Sequence, residues 1–163
     1  MSSATLDRLS GTIVLAGAGK MGSALMTGWL AQGLDPTRIA VIEPRPSDDI
    51  RALGARGVTL NPAAGDFGAV AALVLAVKPQ MFGEAATVLR PFVQASTLVL
   101  SIMAGTTITS IANACGGNVV RAMPNTPAAI GRGITVAVAD RNVGADQRAL
   151  PGALLAATGA FEW

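Results

Sequence analysis

The chain has 163 residues, 51% of them hydrophobic and 13% charged, which excludes intrinsic disorder and allows one domain with a core of ordinary size. A net charge of +2, with Lys and Arg scattered and aromatics at 4%, argues against a nucleic-acid partner. The longest apolar run, AVAALVLAV at 69–77, is about half of a bilayer crossing, and a lone Cys115 excludes an internal disulfide and a cysteine metal cluster, so neither membrane nor metal is expected and the compartment expected is the cytoplasm.

Residues 1–11 read as a flexible tail with no apolar stretch for a secretory signal. TIVLA (12–16) is a buried strand running into GAGKMG, and MGSALMTGWLAQG (21–33) has helical apolar spacing with a stop at Gly33. IAVIE (39–43) reads as a strand, and SDDIRALGARG (47–57) as a helix with Ser47 at its N-cap and acids in the first turn. GVTL suggests a short strand, AALVLAV (71–77) a fully buried one, and EAATVLRPF a helix broken near Pro91. TLVLSI (97–102), NVVRAM (118–123) and ITVAVA (134–139) are three more strands, with TTITSIANACGG a helix between the first two. A last helix is predicted around 144–158, interrupted by Pro151, and GAFEW (159–163) looks like the start of a further strand. That ending suggests a truncated chain or the first domain of something longer. The alternation implies a Rossmann-type, doubly wound α/β fold over 12–163, with a mostly parallel sheet and helices on both faces.

Three stretches carry chemistry. GAGKMG fits G-x-G-x-x-G, with Gly17 for the tight turn, Gly19 for close approach of a pyrophosphate and Gly22 for close helix packing. Its context, after a strand and opening a helix, is the one the motif requires. At the end of the second strand Glu43 would accept the ribose hydroxyls of NAD, whereas Arg45 and Ser47 would hold the 2′-phosphate of NADP. Both signals are present, so the choice between NAD and NADP stays open. Lys78 in AVKPQ, and Ala104–Gly105 in SIMAGTT, fall where strands leave the sheet at its carboxyl edge, where ligands of such sheets collect. RAMPNTPAAIGRG (121–133) has prolines at 124 and 127, neither of which donates a backbone hydrogen bond. It predicts a stiff extended loop over Met123–Pro127 that would block one face of a nicotinamide, with Asn125 and Thr126 as candidates beside the ring.

The motifs GAGKMGSAL, AVKPQ, SIMAGTTI and above all VVRAMPNTPAAIGRGIT resemble the N-terminal cofactor-binding domain of the pyrroline-5-carboxylate reductase family, along nearly the whole chain from Thr12. The resemblance implies NAD(P)H-dependent reduction of 1-pyrroline-5-carboxylate to L-proline, the last step of proline biosynthesis. It implies cofactor contacts from Gly17, Ala18, Gly19, Lys20, Met21 and Gly22. Further contacts would come from Glu43 to Ser47, from Val77, Lys78 and Pro79, and from Ala104, with Met123, Pro124 and Asn125 at the nicotinamide. Members also carry a helical domain that forms a homodimer or larger homo-oligomer and supplies much of the substrate pocket. The resemblance would place that domain outside these residues, which leaves the catalytic residues unassigned and the isolated chain expected to be weakly active or inactive.

The chain contains neither His nor Tyr. Ketone reduction by hydride builds an alkoxide and usually uses such an acid, whereas a cyclic imine takes its proton from water beforehand. Two alternatives remain: a 3-hydroxyacid-dehydrogenase-like enzyme, which shares the glycine motif but typically lacks MPNTP, and a non-catalytic NAD(P)-binding module.

Overall fold

The runs that read as strands all join one eight-stranded sheet in the computed structural model, which describes residues 6–163. In chain order the strands are β1 (Thr12–Ala16), β2 (Ile39–Ile42), β3 (Thr59–Leu60), β4 (Val70–Leu75), β5 (Leu98–Ser101), β6 (Asn118–Pro124), β7 (Gly133–Ala139) and β8 (Gly159–Glu162). Their spatial order is β3-β2-β1-β4-β5-β6-β7-β8. Strands β1 to β6 pair in parallel, β7 runs antiparallel to β6, and β8 follows β7 in parallel. The chain thus winds outward from β1 to β3, returns across β1, and winds outward again from β4. The carboxyl ends of β1 and β4 therefore flank the switch point at which open α/β sheets form a crevice.

Central strands β1, β4 and β5 are buried on both faces, as a parallel sheet clad in helices requires. Helices α1 (Lys20–Ala31), α2 (Asp48–Gly54) and α5 (Ala149–Ala156) contribute to one core, built on Ile13, Leu15, Trp29, Val41 and Leu155. Helices α3 (Phe82–Leu89) and α4 (Ile108–Cys115) contribute to the other, built on Val14, Leu73, Leu75, Phe92 and Val99. Each fully buried aliphatic side chain contributes about 1.5–3 kcal/mol relative to exposure. The expected Ser47 cap forms, its hydroxyl accepting from the Ile50 amide at the start of α2, and the Thr107 hydroxyl accepts from the Ser110 amide at the start of α4.

The structure departs from the sequence expectations in three places. Residues 1–5 of the expected tail lie outside the described residues, but Leu6–Arg8 form a 3-10 turn with Leu6 buried, and the Arg38 guanidinium donates to the Leu9 carbonyl. One well-placed leucine and a carbonyl with a partner are enough to hold this segment against the core. Secondly, Met123–Pro127 is not one extended loop. Strand β6 continues through Pro124, which pairs with Thr135, and Thr126–Ile130 is a 3-10 turn. Pro124 ends the strand, where the missing N–H is tolerated. Thirdly, Pro151 does not interrupt the last helix. It stands in the first turn of α5, where its missing N–H has no carbonyl to serve, and a separate 3-10 turn, Asp146–Arg148, precedes it.

Candidate functional site

Register aligns the strand exits. Ala16 is level with Ile42 and Leu75, Leu75 with Ser101, and Ser101 with Arg121. Gly17, Glu43, Ala76–Lys78 and Ile102–Ala104 therefore leave the sheet along one edge, and β6 runs three residues past that level before Asn125.

Gly17 has φ +90, and a Cβ there would lie 2.6 Å from the Ala76 carbonyl oxygen. Only glycine makes this turn, and the turn seats the loop against the exit of β4. A Cβ on Gly22 would lie 2.2 Å from the Gly17 carbonyl oxygen, so the third glycine lets α1 close onto the loop. A Cβ on Gly19 would meet nothing within 4 Å. The fold does not need glycine at 19; the space above it is open. Gly19 is also the N-cap of α1 and supplies no side-chain oxygen to the first amides of that helix. An open cradle over uncapped, positively polarised amides fits the pyrophosphate of a dinucleotide. The Ser23 hydroxyl donates to the Ala18 carbonyl and holds the loop's inner side, while Lys20 is exposed and Met21 half-buried.

Glu43 is the half-buried acid at the exit of β2. Its Oε2 accepts from the Ala18 amide at 3.0 Å and its Oε1 from the Arg45 amide at 3.1 Å. The carboxylate is thereby fixed directly over the glycine loop. Arg45 and Ser47 are both exposed, and the Ser47 oxygen already caps α2. Sequence reading missed Asn61. Its Oδ1 accepts from the Glu43 amide at 2.8 Å and its Nδ2 donates to the Glu43 carbonyl at 2.9 Å. Asn61 is the non-glycine residue among those described with a positive φ, +47. The available signal was the Asn61–Pro62 pair after a short strand, since asparagine tolerates the left-handed region and marks turns.

At the exit of β4, Ala76 donates to the Ala16 carbonyl, Val77 is half-buried, and Lys78 and Pro79 are exposed at the head of the turn into α3. At the exit of β5, the buried Ser101 hydroxyl accepts from the Met103 amide, and Ala104 and Gly105 lie open to solvent. At the exit of β6, Met123 is exposed and Pro124 half-buried. Asn125 does not hold its carbonyl oxygen free: Oδ1 accepts from the Ile134 amide at 2.9 Å, tying the turn to β7. Thr126 is exposed, and the Thr126–Ile130 turn packs against both α1 and β7. A groove of about 470 Å³ runs between them, lined by Lys20, Ser23 and Thr27 on one side and by Ala129–Gly131 on the other. The glycine loop and the proline-flanked turn are therefore neighbours across α1. Cys115 lies away from this edge, at the end of α4. Burial pushes its thiol up while Arg90 pulls the other way, so it is not an activated nucleophile.

Residues 12–105 match the family model described as NADP oxidoreductase, coenzyme F420-dependent. Among curated proteins, the pyrroline-5-carboxylate reductase of Pseudomonas aeruginosa is 32% identical over 93% of this chain and 56% of its own length. That of Escherichia coli is 35% identical over 73% of this chain and 46% of its own length. The chain thus spans about half the length of these relatives. Among solved structures, a pyrroline-5-carboxylate reductase from Coxiella burnetii superposes with a TM-score of 0.80 at 30% identity, covering 95% of this chain and 59% of that one. On the match over 12–105, which spans most of the sheet's parallel part, the chain belongs to the NADP oxidoreductase, coenzyme F420-dependent family, and it is similar to pyrroline-5-carboxylate reductases over most of its length.

Proposed function

We propose that this chain is the dinucleotide-binding part of a pyrroline-5-carboxylate reductase, which forms L-proline from 1-pyrroline-5-carboxylate. The observation that carries this reading is the common edge on which the Gly17–Gly22 cradle, Glu43, Val77–Pro79, Ala104 and the end of β6 all open. The names of the relatives support the substrate. A bound NADH or NADPH supplies the hydride. The chain's own part is to hold and orient that cofactor: α1 amides at the pyrophosphate, Glu43 at the adenosine ribose, and the Met123–Thr126 segment beside the nicotinamide. A cyclic imine, unlike a ketone, would enter the site as the iminium already protonated in equilibrium with solvent, so no His or Tyr acid is demanded of a chain that has neither. A further helical domain, of the kind the family resemblance implies, would form the homodimer and bind the substrate carboxylate.

Fluorescence titration of the chain with NADH and NADPH, followed by addition of 1-pyrroline-5-carboxylate, tests this. Saturable cofactor binding, with turnover of the imine slow or absent, is the expected result. No binding at millimolar cofactor, or oxidation of a 3-hydroxyacid without imine turnover, would overturn it.

A further inference from the structure

Resting on that reading of the site, we propose that Glu43, held by Asn61, makes this chain select NADH over NADPH, although its family is described as one of NADP oxidoreductases. Three observations point the same way. The Glu43 carboxylate is not a free surface group that could swing aside. Both oxygens are engaged, one on the Ala18 amide of the glycine loop and one on the Arg45 amide. Its backbone is held on both sides by the Asn61 amide group, in a pair of hydrogen bonds of 2.8 and 2.9 Å. Asn61 makes that pair from a left-handed backbone, φ +47, a conformation asparagine adopts more readily than most other non-glycine residues.

The second observation is charge. A fixed carboxylate accepts hydrogen bonds from the two hydroxyls of an adenosine ribose and repels a 2′-phosphate placed at the same point. Asp48 and Asp49, in the first turn of α2, add negative charge to the same exit. The third is the state of the groups that would have to answer it. Ser47 is fixed at the cap of α2 by accepting from the Ile50 amide and has only its O–H left to donate, and Arg51 pairs with Asp48 at 3.6 Å. Arg45 offers a guanidinium, but from an exposed position two residues after the carboxylate. Glu43 is thus the specificity-determining group and Asn61 a positioning residue that acts through it.

The test is equilibrium binding of NADH and NADPH to the 163-residue chain and to two variants, read as the ratio of dissociation constants. The unaltered chain is expected to bind NADH at least roughly tenfold more tightly than NADPH, a difference of about 1.4 kcal/mol. Glu43→Gln keeps the side chain's length and an acceptor for Ala18 but removes the charge, and should bring the ratio close to one by strengthening NADPH. Asn61→Gly keeps the left-handed backbone and removes the clamp; it should shrink the ratio, whereas a merely structural role would weaken both cofactors equally. Equal or tighter NADPH binding by the unaltered chain, or a ratio unmoved by Glu43→Gln, would overturn the proposal. An equal loss of both cofactors in Asn61→Gly would overturn the role of Asn61. Failure of both cofactors to bind the unaltered chain would instead overturn the cofactor reading itself, with the glycine cradle as its basis.

Discussion

The three glycines of the loop do different work, and substitution separates them. At Gly22 the clash is with the Gly17 carbonyl, a backbone atom with nowhere to go. Gly22→Ala should therefore destabilise the fold by about 1–3 kcal/mol, in the range of overpacked cores. At Gly19 a methyl group meets nothing in the protein. Gly19→Ala should leave the urea midpoint nearly unchanged and weaken dinucleotide binding by roughly tenfold or more, about 1.4 kcal/mol. Unfolding curves and cofactor titrations on both variants check the contrast; equal effects on stability would contradict it. The spacing of the motif alone showed that small residues were wanted at 17, 19 and 22. It also divided them between turn, ligand and packing; what it could not show is the backbone each one makes room for, because Ala76 is brought from 59 positions along the chain by β4. Asn61 stayed hidden for the same reason: its partner Glu43 is reached across the β2–β3 pairing and not along the sequence. Glu43 itself was legible, being an acid at the end of a recognisable strand.

Among the elements, the central strands were the most legible, since the apolar runs of β1, β4 and β5, bounded by turn residues, read as doubly buried strands. Ends were less so. The prolines at 124 and 151 suggested an extended loop and a broken helix, yet each sits where a missing N–H costs nothing: the last residue of β6 and the first turn of α5. The contact of α1 with α5 was invisible in the sequence. Trp29 is fully buried and its indole N–H donates to the Leu154 carbonyl at 2.9 Å, so the helix that carries the glycine loop at one end is anchored by the last helix at the other. Trp29→Phe leaves that carbonyl without its partner and opens a cavity, and should cost about 2–3 kcal/mol of stability in urea unfolding. A loss below about 0.5 kcal/mol would mean that α5 does not anchor α1. The other face tells a different story. Ile134, Val136 and Val138 project from β7 at 51%, 55% and 65% exposure, because α4 covers β6 and no helix among the described residues covers β7 on that side. Part of the high apolar fraction is thus surface.

For the whole molecule, the doubly wound order does what no single motif can. It carries five strand exits, separated by more than a hundred residues of sequence, to one edge, and sets the β1–β4 crevice in their middle. The proposed function requires an extended dinucleotide along that edge, from the glycine loop to the end of β6. Amide chemical shifts of isotope-labelled chain during NADH titration test it most directly. Shifts are expected at residues 17–22, 43, 45, 76–78, 104–105, 123, 125 and 126, with the opposite ends of the strands, at Thr12, Ile39, Val70 and Leu98, unmoved. Shifts confined to those opposite ends, or a titration that moves 17–22 while leaving 123–126 and the exits of β4 and β5 untouched, would contradict it.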